Sequence, residues 1–178
     1  MADRIKKRTK YLTVSAMLCA LGVICLALGS FIEVLDMTAA ITASILCVYA
    51  VIEIGGIYPW GVWVVTSILA LLLLPIKTPA VFYALFAGFY PILKEKIEKC
   101  KRPIAFLLKM ATFHVSLGAI VLILKIFFPA QLQLEGDWKW FPLLMYALCV
   151  GIFWLYDVAL TRMITFYLVR LRQKFRIK

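Results

Sequence analysis

The stretch YLTVSAMLCALGVICLALGSFI, residues 11–32, carries no charge and follows the basic leader RIKKRTK at residues 4–10. A membrane-spanning helix needs about 20 predominantly apolar residues to cross about 30 Å of hydrocarbon, and this stretch has 22. It is longer than the apolar core of a typical secretory signal. Because further apolar stretches follow it, we predict a retained first transmembrane helix.

The composition of the whole chain indicates an integral membrane protein. Of 178 residues, 65% are hydrophobic, and the mean hydropathy is +0.97, far above the roughly half-apolar composition of soluble domains. The formal charge of the chain is +11, which could suggest a nucleic-acid-binding protein. The basic residues, however, lie in short segments beside the apolar stretches, where lipid headgroups are expected. The pattern therefore predicts membrane lipid as a partner and does not favour nucleic acid.

Sequence motifs for catalysis or metal binding do not occur. The five cysteines have no C-x-x-C spacing, the single histidine cannot build an all-histidine zinc site, and H-E-x-x-H, G-x-S-x-G and P-loop patterns are missing. We therefore expect no enzyme activity, no cofactor and no metal.

Apolar periodicity predicts an all-α fold, a single transmembrane domain over residues 1–178 with six spans. The spans are residues 11–32, 38–57, 60–74, 79–93, 103–128 and 141–169. Pro91 lies in the last turn of the fourth span, where it frees a backbone carbonyl and favours a kink.

Orientation follows from the distribution of lysine and arginine, because positively charged loops resist translocation. With the N-terminus inside, residues 1–10, 94–102 and 170–178 hold fifteen basic residues, whereas the external segments hold two, Lys77 and Lys139. We therefore predict a six-helix bundle in the plasma membrane with both termini cytoplasmic.

Ionisable residues within predicted spans are costly and usually face the bundle interior, find a partner or reach the interface. Depth along each helix suggests two layers. The inner layer pairs Glu53 with Lys109 or Arg162 and either fastens helices or meets a cytoplasmic partner. The midplane layer pairs His114 with Asp157, as a buried hydrogen bond or as a proton- or ligand-linked pair. Lys125 is expected to extend outward to the interface.

The first span is rich in small residues, and Ala16 and Ala20 form an A-x-x-x-A face that allows another helix to approach closely. Through this face, together with its basic leader, six predicted spans and cytoplasmic termini, the chain resembles the substrate-binding S components of energy-coupling factor (ECF) vitamin transporters. The resemblance implies that Ala16 and Ala20 dock on a T subunit driven by two ATPases, and that a small solute is captured from outside. Glu53, at the inner side, is then a coupling residue.

The same resemblance implies a solute pocket in the outer half of the bundle, under the loop after the first helix. Aromatic stacking and a few charges suit a small heterocycle, although the same residues also suit plain loop and interface positions. The candidates are Glu33, Asp36, Lys77, Tyr83, Lys125 and Trp138.

Two alternatives stay open. The chain is also similar in size and layout to the rod-shape MreD proteins, multi-span scaffolds of the cell envelope that need no ligand pocket. The fourth span carries an aromatic stripe typical of helix packing, formed by Tyr83, Phe86, Phe89 and Tyr90. After Pro91 comes KEKIEKCKR, residues 94–102, a basic segment with the i,i+4 pairs Lys94–Glu98 and Glu95–Lys99. This segment is predicted to lie near anionic lipid or to dock a partner.

Overall fold

A computed structural model describes residues 2–32, 35–127 and 140–171. The described residues form helices and no strand. The helices are α1 (Ala2–Phe31), α2 (Asp36–Glu53), α3 (Tyr58–Leu73), α4 (Thr78–Phe82), the π-helical turn π1 (Tyr83–Ala87), α5 (Tyr90–Ile97), α6 (Arg102–Phe127), α7 (Phe141–Phe166) and a second π-helical turn, π2 (Tyr167–Leu171). The all-helical prediction is therefore confirmed for this part of the chain.

Four segments are long and apolar enough to cross a membrane: Arg4–Phe31, Asp36–Glu53, Arg102–Phe127 and Leu143–Arg170. The helix Tyr58–Leu73 is apolar but has only 16 residues, which corresponds to about 24 Å at 1.5 Å per residue. These helices have the character expected of a membrane protein.

Helix ends differ from the predicted spans for local reasons. α1 begins at Ala2, since the basic leader consists largely of lysine and arginine, which are good helix formers. α2 ends at Glu53, four residues before the predicted end, because Gly55 and Gly56 both adopt φ +66°. This left-handed conformation suits glycine and stops a helix.

The predicted fourth span is an interrupted helix. α4 passes into π1, Gly88 and Phe89 form a turn, and α5 restarts at Tyr90 with Pro91 in its first turn. Proline lacks an N–H and is tolerated at a helix start but not in its interior. The disturbance expected at Pro91 is therefore present as an interruption of the α-helical hydrogen bonding just before this proline, while Gly88 and Phe89 keep right-handed helical dihedrals.

The chain divides into two compact units, Met1–Leu122 and Ile123–Lys178. In the first unit, α1 packs on α2 and α3, and α2 also contacts α4, π1 and α5. Leu26, Val62, Leu74, Tyr83 and Tyr90 are among its fully buried side chains. The second unit contains α7 and π2.

Contacts between distant residues identify the two ends of the first unit. At one end, Ser30 Oγ accepts from Ile76 N at 3.1 Å. At the other end, the Tyr11 and Tyr58 rings meet edge to face, with centroids 5.7 Å apart. We call the end with the Tyr11–Tyr58 contact, where α1 and α3 begin and α2 and α5 finish, the basic end. The end with the Ser30–Ile76 contact is the opposite end.

Candidate functional site

The first candidate site is the outward side of α1. Ala16 and Ala20 are exposed, and so are their apolar neighbours Leu12, Met17 and Leu21. Residues four apart lie one turn apart on the same side of a helix, so the two alanines form a shallow strip between larger side chains. We call Ala16 and Ala20 the alanine face; a second helix can approach the α1 backbone closely there.

The other small residues of α1 are used inside the unit. A Cβ added at Gly22 would lie 3.0 Å from Thr66 Cγ2, and one added at Gly29 would lie 2.3 Å from Ala39 Cβ. These glycines let α1 approach α3 and α2 closely. The small residues of α1 therefore lie on two surfaces: Gly22 and Gly29 pack against α3 and α2, and Ala16 and Ala20 are exposed within the part of the chain that the structure describes.

The second candidate site is a charged cluster at the basic end. Lys94 Nζ lies 3.3 Å from Glu98 Oε1, and Lys109 Nζ lies 3.2 Å from the same oxygen. The Lys94 side chain is only 1% exposed, whereas Glu98 is 42% exposed. A buried ammonium group requires a partner, and Glu98 supplies one to Lys94. Because Glu98 also pairs with Lys109, it joins the end of α5 to the first turns of α6.

Part of this cluster is predictable from the sequence. The i,i+4 spacing indicated the Lys94–Glu98 pair and the Lys99–Glu95 pair, whose atoms lie 2.9 Å apart, and both pairs are confirmed. The burial of Lys94 and the ion pair of Glu98 with Lys109 were not predicted. Neither has a signal in the local spacing, since both depend on how the interrupted fourth segment packs.

Glu53 is the last residue of α2, near the basic end, and is half-buried. Of its two predicted partners, Lys109 forms an ion pair with Glu98. Arg162 is an exposed residue of α7 and belongs to the second unit. The pairing of Glu53 with either cation stays a prediction.

The predicted midplane pair also involves residues of both units. His114, on α6, is exposed, and its Nδ1 lies 2.8 Å from the Met110 carbonyl oxygen one turn earlier. Asp157, on α7, is half-buried, and its backbone carbonyl accepts a hydrogen bond from Thr161 Oγ1 at 2.9 Å. The His114–Asp157 pair stays a prediction.

Four of the six solute-binding candidates lie among the described residues; Glu33 and Trp138 lie outside them. Asp36 begins α2 and is half-buried, and Lys77 Nζ donates to the Leu74 carbonyl. Tyr83 is 1% exposed within π1. Lys125 is exposed near the end of α6 and belongs to the second unit.

The aromatic stripe of the fourth segment packs within the first unit. The Phe86 ring lies 5.4 Å from Tyr90 and 6.3 Å from Phe113, measured between centroids. Trp63 Nε1 donates to the Ala84 carbonyl of π1 at 3.0 Å. The packing interpretation of the stripe is therefore confirmed, and the indole bond is a contact that sequence periodicity does not indicate.

Among the described residues, no group of three or more histidine, cysteine or acidic side chains is arranged to hold a metal ion. Comparisons with known proteins find no matching protein-family model, and neither curated proteins nor solved structures show significant similarity to the chain.

Proposed function

We propose that this protein is the substrate-binding subunit of an ECF-type importer. The observation that carries the proposal is the exposure of Ala16 and Ala20, while Gly22 and Gly29 of the same helix are used in internal packing. In a membrane, helix association depends on close packing of small residues rather than on a hydrophobic driving force. An exposed small-residue strip on α1 is what docking on a T subunit requires.

The proposal includes six spans in the plasma membrane with the basic end in the cytoplasm. Counting the interrupted segment as the fourth span, over residues 78–97 in place of the predicted 79–93, is supported by contacts at its two ends. Ser30 contacts Ile76 just before α4, and the Lys96 ammonium lies 5.3 Å from the Trp60 ring near the end of α5. The interrupted segment thus extends along the same length as α3.

In this mechanism the protein binds a small solute at the opposite end, facing outward. Asp36 and Lys77, both half-buried there, supply a negative and a positive group for orienting a polar ligand. Partner ATPases acting through the T subunit then reorient the bundle. This chain itself hydrolyses nothing.

The second candidate function is a non-transporting scaffold of the MreD kind. Two observations favour it: Tyr83 is fully buried, and Lys77 donates to a carbonyl of its own chain. These polar groups of the candidate pocket are engaged in the fold, as expected of a protein that acts through its surfaces.

Native mass spectrometry after purification from the original membranes in mild detergent distinguishes the two functions. The importer predicts a retained small molecule or co-purifying ATPase subunits. A protein without ligand that co-purifies with envelope enzymes would overturn the importer proposal in favour of the scaffold.

The alanine face is tested by Ala16→Leu and Ala20→Leu. We expect each to weaken assembly of the partner complex about five- to thirtyfold, because a leucine separates the helix backbones at a cost of about 1–2 kcal/mol. The matched control is Ala111→Leu, an exposed alanine on α6, which should leave recovery unchanged. Equal recovery for all three variants would refute docking at this face.

Coupling through Glu53 makes a separate prediction. Because Glu53 lies near the basic end, Glu53→Gln should lower recovery of the complex while leaving solute affinity within about twofold of the original, a difference below 0.5 kcal/mol. Isothermal titration with the solute identified by mass spectrometry measures the affinity. A large loss of affinity with intact assembly would place Glu53 in the solute site instead.

A further inference from the structure

Residues 94–102 at the basic end contain five cations and two carboxylates. Both carboxylates are engaged, since Glu98 binds Lys94 and Lys109, and Glu95 binds Lys99. The three other cations of the segment, Lys96, Lys101 and Arg102, are exposed. None of these three forms an ion pair with a carboxylate in the part of the chain that the structure describes. Among the described residues, their positive charge is therefore not compensated by a carboxylate.

Aromatic rings lie beside this charge. Lys96 Nζ is 5.3 Å from the centroid of Trp60, and the Trp60 ring meets Trp63 edge to face at 5.6 Å. A cation held over an indole keeps its position while its other N–H donors face solvent. Lys7 is held in the same way over Tyr11, at 5.8 Å. The basic end thus presents cations over amphipathic rings.

We propose that the surface formed by Lys96, Lys101, Arg102 and Trp60 binds the phosphate headgroups of anionic phospholipids. Lys96, held over the Trp60 ring, is the cation of this surface whose position is fixed by an aromatic contact. The proposal is independent of the importer function, because it requires only that the apolar helices lie in a bilayer.

Two features favour a lipid over an acidic protein segment. Tryptophan and tyrosine prefer the headgroup level of a membrane, and Trp60 lies in the first turn of the apolar helix α3. In addition, Arg102 is the first residue of α6, a helix long and apolar enough to cross a membrane. The cations are thus within one turn of the predicted hydrocarbon region.

The charge contribution has an expected size. Each lysine or arginine near an anionic surface strengthens binding about fivefold. Replacing Lys96, Lys101 and Arg102 by glutamine together should therefore weaken binding of phosphatidylglycerol about a hundredfold at low salt. Added salt should weaken binding to the original protein.

The experiment titrates the full-length protein in detergent micelles with phosphatidylglycerol or phosphatidylcholine and counts bound lipids by native mass spectrometry. We expect selective binding of phosphatidylglycerol, loss of selectivity in the triple variant, and no competition by inorganic phosphate. Equal binding of both lipids, or an unchanged triple variant, would overturn the proposal. Tighter binding of a polyglutamate peptide would assign the surface to an acidic protein instead, and effective competition by phosphate would assign it to a free anion.

Two further variants separate this site from diffuse charge attraction. Trp60→Leu keeps the net charge but removes the ring under Lys96, so it should lower phosphatidylglycerol binding at least threefold. The double variant Glu95→Gln with Lys99→Gln also keeps the net charge and should leave binding unchanged, because it removes a pair already neutral. Unchanged binding in Trp60→Leu would contradict a site built on this ring. Lipid binding is compared only among variants whose thermal unfolding midpoint equals that of the original protein. If the triple variant does not fold, Trp60→Leu alone decides the outcome.

Discussion

At the scale of single residues, Gly29 sets the distance between α1 and α2. A Cβ at this position would lie 2.3 Å from Ala39 Cβ, so the two helices must separate to accept even one methyl group. We expect Gly29→Ala to lower the free energy of unfolding by about 1–3 kcal/mol, as in other overpacked cores. Thermal unfolding of the purified protein in detergent measures the change.

Gly118 is the matched control for this substitution. It lies within α6, and an added Cβ there meets nothing within 4 Å. Gly118→Ala should raise stability by up to about 1 kcal/mol, because alanine loses less backbone entropy in a helix. The two Gly→Ala changes are therefore expected to have opposite signs. Equal shifts would mean that α1 and α2 are not in close contact at Gly29.

At the scale of the helices, π1 accepts a hydrogen bond from α3. A π-helical turn displaces the backbone bonding pattern by one residue, and here Gly88 N donates to Tyr83 O at 2.8 Å while Trp63 Nε1 donates to Ala84 O. Trp63→Phe keeps most of the ring but removes the donor. The Ala84 carbonyl then loses a partner, at a cost of about 1 kcal/mol.

Hydrogen exchange followed by mass spectrometry provides the measurement for Trp63→Phe. Amides of residues 83–88 should exchange about five times faster than in the original protein, since opening costs about 1 kcal/mol less. Trp154→Phe is the control, because that side chain is 63% exposed on α7. Unchanged exchange in Trp63→Phe would show that the indole bond does not hold π1.

The sequence was sufficient to predict the helices and their approximate positions, because apolar length is a local property of the chain. It was also sufficient for the Lys94–Glu98 and Lys99–Glu95 pairs, whose partners are four residues apart. The π1 turn, the bond from Trp63 and the burial of Lys94 were not predictable in this way. Each depends on which side of one helix meets another, and apolar periodicity is nearly the same with or without an added π turn.

At the scale of the whole molecule, the distribution of charge makes the orientation the most consequential prediction. Fifteen basic residues lie in segments that we assign to the cytoplasm, and two lie in segments assigned to the outside. The importer proposal depends on this orientation, since the alanine face must meet a partner coupled to cytoplasmic ATPases.

A native cysteine reports the orientation directly. Cys100 lies in the basic segment and is exposed, whereas Cys19 and Cys47 are buried and Cys25 and Cys149 are half-buried. A maleimide that cannot cross membranes should therefore label Cys100 only after the cells are permeabilised. Cys100 should stay unlabelled in intact cells because the positive charge of residues 94–102 predicts a cytoplasmic position, which the maleimide cannot reach.

The outward side needs its own reporter, and Lys139 supplies one, although it lies outside the described residues. In a Cys100→Ser background, Lys139→Cys should be labelled in intact cells, because residue 139 falls in the predicted external loop before the last span. Labelling of Cys100 in intact cells together with protection of the new cysteine would invert the bundle. The inverted arrangement would place the basic end outside and would remove the alanine face's proposed route to ATPases. It would leave the anionic-lipid surface testable by itself, because its binding to headgroups does not depend on which leaflet supplies them.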